Sequence, residues 1–256
     1  MAESQTEHEP HQMTFLEHLE ELRRRILYAL GGLVGGLAIA LVLGKPIKAL
    51  LTSPYNRLMD SIGEEAALKV LSMQEGLILY FRIALYAGVV IACPWILYQF
   101  WQFVSAGLYP HEKRVVHTAV PFSVLLFLAG AGFFVFIVSF PMLQFFHAFN
   151  QWLGVTEMIT YKEHVRFMTS MMLVFGLGFQ MPLVVLVLER VGIVSLQTLR
   201  HYRRHVIIGV LIFAAAVTSP SPLDQVLLAV PMWLLYELGI LLVYLSRRKR
   251  KESAGD

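Results

Sequence analysis

The residues of this chain whose types could do chemistry are carboxylates set among cations. Glu20 and Glu21 stand one residue, Leu22, before Arg23, Arg24 and Arg25, and Glu112 sits in His111-Glu112-Lys113-Arg114. A carboxylate near a partly dehydrated boundary forms short, charge-assisted, often bidentate hydrogen bonds with a guanidinium group. A surface that collects Glu21 and Glu112 can accept two arginines from a peptide. The alternative is internal: each glutamate pairs with the arginine beside it, and spacing alone favours this plainer pairing.

Other chemistries lack their residues. No glycine-rich phosphate loop ends in Lys-Ser or Lys-Thr, no His-Glu-x-x-His occurs, and no Gly-x-Ser-x-Gly elbow is present, so an enzyme is not expected. His201 and His205 are four apart, but Arg200, Arg203 and Arg204 oppose a cation there, and neither metal nor cofactor is expected. Cys93 is the lone cysteine and lies in an apolar run, which excludes an internal disulfide. Gln180 interrupts another apolar run two residues before Pro182. Its amide either bonds a neighbouring helix or faces a polar groove, while Pro182 removes a backbone bond and can kink the helix.

The elements that must hold these groups are membrane helices. The 256 residues are 57% hydrophobic and 15% charged, too apolar for a soluble domain. The net charge of +3 comes from basic residues beside apolar runs, which orient a chain in a bilayer rather than bind nucleic acid. Residues 1–13 read as a mobile tail, 14–246 as the membrane domain, and 247–256 as a basic tail; no cleavable signal segment is expected at the N-terminus.

The pattern predicts a charged collar, His18 to Arg25, as an amphipathic turn in the headgroup region before span 1, Ile26 to Leu43. Lys45 to Glu75 reads as a structured outer cap, Gly76 to Tyr98 as span 2, and the aromatic stretch Gln99 to Arg114 as an inner loop. Span 3 follows over Val115–Phe140, an outer loop over Pro141–Lys162, and span 4 over Val165–Leu188. The last hairpin pairs a short stretch, His205 to Ser219, with Val226–Leu245 through a Ser-Pro-Ser-Pro turn, and predicts local thinning of the bilayer. Cations gather in the collar, at Lys113 and Arg114, in the loop carrying Arg190, Arg200, Arg203 and Arg204, and at Arg247 to Lys251. Six spans with both termini cytoplasmic satisfy that asymmetry.

Four stretches carry a family resemblance: His18-Leu19-x-Glu21-Leu22-Arg23; Leu97-Tyr98-Gln99-x-Trp101-x-Phe103 with Leu108-Tyr109-x-His111-Glu112-Lys113-Arg114; Phe175-Gly176-x-x-Phe179-Gln180-x-Pro182; and Gln225-x-Leu227-Leu228-Ala229-x-Pro231. Together they resemble TatC, the polytopic subunit of twin-arginine protein translocases, over about residues 14 to 245. The resemblance implies an all-α, cup-shaped bundle of six transmembrane helices, the last two short. It implies binding of twin-arginine signal peptides at the cytoplasmic face and export of folded proteins driven by the proton-motive force. TatA-type and TatB-type single-span partners, and several copies in one complex, are implied with it. Carried onto this sequence, Glu21, Arg23, Phe103 and Glu112 form the recognition patch with Glu20 and Lys113 beside them. Pro54 and Pro182 are structural, and Gln225, Met232 and Glu237 dock partners.

Three positions depart from the family pattern: Ala106 where a proline is common, Gln180 where a glutamate is common, and Ser221 where many members carry an acid, with Asp224 three residues on. A small-solute secondary transporter is the alternative reading. It requires internal repeats or paired broken helices near the midplane, whereas only the fourth span is visibly interrupted.

Overall fold

The computed structural model describes residues 15–64, 68–70, 72–109, 113–217 and 222–252. The predicted N-terminal tail, Glu112 and the Ser219–Ser221 turn lie outside them. The described chain is helical: α1 (Phe15–Val42), α2 (Gly44–Ile62), α3 (Glu75–Ala106), α4 (Lys113–Phe133), a five-residue π-helical segment (Phe134–Val138), α5 (Ser139–Leu153), α6 (Tyr161–Gly178), α7 (Met181–Arg190), α8 (Leu196–His201), α9 (Arg203–Val217) and α10 (Pro222–Glu252). Among the described residues, five helical runs are long and apolar enough to cross a membrane: Leu16–Val42, Glu75–Ala106, Val115–Leu153, Tyr161–Arg190 and Leu228–Arg247.

The collar forms the first turns of α1, which runs without a break from Phe15 through the arginines into the apolar stretch. Two boundaries differ from the sequence expectation. α3 extends eight residues past Tyr98, so Trp101 and Phe103 stand on a helix rather than in a loop. The helix after span 3 also continues, through a π-helical turn and Pro141 to Leu153, leaving only 154–160 as the outer connection. There the widened turn absorbs the proline: Ser139 Oγ donates to the Val135 carbonyl at 2.6 Å, and its N–H reaches back to Phe134. Gly154, at φ 71°, then ends α5 in the left-handed conformation that favours glycine. Thr160 caps the start of α6, its hydroxyl accepting from the Glu163 N–H at 3.3 Å and donating to the Glu163 carboxylate at 3.0 Å.

The expected cap is α2, held by Leu51, Tyr55, Leu58 and Met59, with Pro54 buried in its middle. Phe127, Phe134, Phe175, Met168, Val165 and Leu228 fill the interior. Outside, Leu27, Leu30, Val34, Phe81, Phe136 and Ile137 are exposed, an inversion of soluble surfaces that suits a lipid surround. The last hairpin is short on one side only. α9 has 15 residues, about 22 Å of helix, whereas the apolar run of α10 has 20 residues and reaches about 30 Å.

Candidate functional site: the seam between α1 and α3

One face of α3 repeats every four residues as Trp95, Gln99 and Phe103, which places all three in line along the helix. The antiparallel α1 answers each. The Trp95 indole donates to the Tyr28 carbonyl at 2.9 Å. Arg25 Nη1 donates to Gln99 Oε1 at 3.0 Å. The His18 ring stacks on Phe103, centroids 4.4 Å apart and planes inclined by 24°. Further along the seam Gly36 meets Gly88 so closely that a Cβ on Gly36 would stand 2.4 Å from the Gly88 carbonyl oxygen. At its far end the Tyr80 hydroxyl donates to the Leu41 carbonyl. Without a strong hydrophobic drive between helices in lipid, small residues and polar bonds of this kind are what join them.

Glu21 sits at the collar end of this seam with its side chain 9% exposed. Arg25 Nε donates to its Oε1 at 2.6 Å, and Arg24 Nη2 donates to its Oε2. The internal pairing is therefore present: both oxygens meet a guanidinium group from the next turn. The two arginines are not equivalent. Arg25 is 20% exposed and tied to Gln99, which is itself buried, whereas Arg24 is 57% exposed. Glu20 and Arg23 are exposed, Phe103 is half-buried, and Lys113 opens α4 with its N–H on the Tyr109 carbonyl at 3.2 Å. Two buried ring nitrogens, His18 Nδ1 and Trp101 Nε1, find no hydrogen-bond partner among the described residues. Arg25, Gln99 and His18 were not among the expected site residues. The four-residue recurrence of Trp95, Gln99 and Phe103 was the available signal, and it is lost once the helix is taken to end at Tyr98.

The remaining expected residues fall elsewhere. Gln180 is buried between α6 and α7 and bridges to α4 twice: Ser123 Oγ donates to its Oε1 at 2.7 Å, and its Nε2 donates to the Ser123 carbonyl at 2.9 Å. Of the two readings of that amide, the bond to a neighbouring helix is the one present. Pro182 is buried in the first turn of α7, where a missing N–H costs least. On α10, Gln225 is half-buried and Glu237 pairs with Arg203 at 2.7 Å. Met232 is a correction: it is 5% exposed, and its thioether fills the space left by Gly178, so it faces the bundle instead of an incoming partner. Val226, Val230, Trp233 and Leu234 are the exposed apolar residues around it.

Residues 17–231 match the family model described as Sec-independent protein translocase protein (TatC). Among relatives, TatCy of Bacillus subtilis is 35% identical over 246 residues, covering 96% of this chain and 94% of that protein. TatC of Aquifex aeolicus is 36% identical over 242 residues, covering 94% and 98%. A crystal structure described as the twin-arginine translocase receptor TatC superposes with a TM-score of 0.79 at 34% identity, over 90% of this chain and 99% of that one. On these matches along almost its whole length, the chain belongs to the TatC family of Sec-independent protein translocases.

Proposed function

We propose that this protein is the core subunit of a twin-arginine translocase. It receives twin-arginine signal peptides at the end of the bundle that carries Glu21 and exports folded proteins, driven by the proton-motive force. The observation that carries this reading is the unequal pair of arginines on Glu21. Arg25 is fixed by Gln99, but Arg24 lies mostly in the open and is replaceable. An incoming signal arginine takes the place of Arg24, one guanidinium for another, so the buried carboxylate keeps its charge compensation throughout. Glu112 is the second acceptor, and Glu20, Arg23, Phe103 and Lys113 border the patch.

The basic residues at this end suit the cytoplasmic face of a cytoplasmic-membrane protein, with both termini on the cytoplasmic side. TatA-type and TatB-type single-span proteins dock along the exposed faces of α9 and α10 near Gln225 and Glu237, where short α9 thins the bilayer, and several copies assemble. A photo-crosslinkable twin-arginine peptide tests the patch in membranes. Glu112→Gln and Glu21→Gln lose the crosslink while the protein stays folded in the membrane, and Arg24→Ala keeps it. Wild-type crosslinking and export in Glu112→Gln overturn the assignment.

A further inference from the structure

We propose that the groove between α4, α7 and α10 is a phospholipid site, one acyl chain lying along the helices and the headgroup phosphate meeting Arg190. The groove encloses about 440 Å³ and is lined by Ala119 and Phe122 of α4, Leu183 and Leu186 of α7, and Leu238 of α10, with Arg190 at one end. Phe122 and Leu238 are also exposed, so the groove opens sideways toward lipid. It is apolar along its length and cationic at its mouth, the charge order of a phospholipid entered tail first.

The charge order decides the occupant: an apolar slot that ends at a cation suits a hydrocarbon chain that ends in an anion. The mouth decides the headgroup. Arg190 ends α7, and among the described residues its hydrogen-bond partner is the Ser246 hydroxyl at 3.4 Å. The adjacent carboxylate, Glu189, is taken by Arg247. A guanidinium with no carboxylate partner among the described residues, at the edge of an apolar slot, offers a phosphate two parallel N–H donors, and basic pockets between transmembrane helices select anionic headgroups. The site is separate from the seam of α1 and α3 and does not depend on the signal-peptide reading.

Native mass spectrometry of the purified full chain in detergent, loaded with phosphatidylglycerol or with phosphatidylcholine of the same acyl chains, tests this. The wild type retains one phosphatidylglycerol more tightly than phosphatidylcholine. Arg190→Gln weakens the phosphatidylglycerol roughly tenfold, to the level of phosphatidylcholine, and Arg190→Lys recovers part of the difference. Leu186→Trp fills the groove and lowers retention of both lipids. Leu125→Trp, at an exposed lining position, does the same where the first variant fails to fold. Equal phosphatidylglycerol retention by wild type and Arg190→Gln overturns the proposal. So does unchanged retention in a folded tryptophan variant, which leaves only annular lipid. Protection against thermal unfolding by inorganic phosphate alone, equal to that by phosphatidylglycerol, removes the acyl chain from the site and overturns it too.

Discussion

Gly36→Ala and Gly35→Ala add the same methyl group to neighbouring positions of α1 and have opposite consequences. At Gly35 a Cβ meets nothing within 4 Å, so the substitution brings only the intrinsic preference of alanine over glycine in a helix, up to about 1 kcal/mol. At Gly36 the Cβ arrives 2.4 Å from the Gly88 carbonyl oxygen, 2.9 Å from the Ala92 Cβ and 3.1 Å from the Ala92 nitrogen. Two of those three atoms are backbone and cannot rotate aside, so the helices must separate by about 1 Å, and overpacking of this kind costs roughly 1–3 kcal/mol. The separation also stretches the 3.0 Å bond from Arg25 to Gln99, which is lost beyond about 3.5 Å. Titration with a denaturing detergent, read by helical signal and tryptophan fluorescence, should place Gly36→Ala below the wild type and Gly35→Ala at or above it. Gly88→Ala, whose Cβ stands 2.9 Å from the Leu37 Cα, should follow Gly36→Ala. Crosslinking of a twin-arginine peptide should fall in the Gly36 and Gly88 variants and hold in Gly35→Ala. Coincident unfolding of Gly35→Ala and Gly36→Ala refutes the claim that backbone contact at this crossing positions the collar.

Gln180→Leu removes both bonds to Ser123 and should cost about 1–2 kcal/mol in the same titration. Ser123→Ala keeps the bond from Nε2 to the backbone carbonyl and should cost less; equal losses would mean that the amide is not shared in this way. Burial, with the charges of Glu157 and Glu64, holds the Tyr55 hydroxyl above its ordinary value. The neutral form is thus the one the fold favours: its contribution is complete below about pH 10, the unfolded value, and is lost as the pH rises through the folded one. Thermal midpoints should fall above about pH 10, and Tyr55→Phe should flatten that fall; an unchanged slope would clear Tyr55 of responsibility.

What the sequence made legible depended on the scale of the signal. The apolar runs are long enough to be unmistakable, and α9 was recognisably short because its length is set by charge at one end and prolines at the other. Gln180 was legible as a polar interruption, but whether it bonded or faced a groove turned on Ser123 lying opposite it, 57 residues away. Helix ends at the interface were the failures. Gln99, Trp101 and Phe103 look like loop residues because polar and aromatic side chains gather at headgroup depth, yet the backbone there remains helical to Ala106. Pro141 looks like a stop, and the π-helical turn before it lets the helix pass. Glu21 could be placed on the collar from its neighbours alone, but not the inequality of Arg24 and Arg25, which comes from Gln99 on another helix.

The pair Arg203–Glu237 gives the short helix a physical consequence. Glu237 lies ten residues before Arg247 on α10, so it stands about 15 Å along the helix from that basic end and inside the apolar run Leu228–Arg247. α9 begins at Arg203, whose guanidinium reaches Glu237 at 2.7 Å, and the two side chains remain 44% and 27% exposed. A partly exposed ion pair at that depth is stable only if water or headgroups reach it, because isolated charge in hydrocarbon costs several kcal/mol. We therefore expect the layer beside α9 to be thinner than the roughly 30 Å that the apolar run of α10 spans. Shortness of α9 and depth of the ion pair are one requirement seen from two helices: lengthening α9 at its basic end would carry Arg203 away from Glu237 and leave the carboxylate alone in the span.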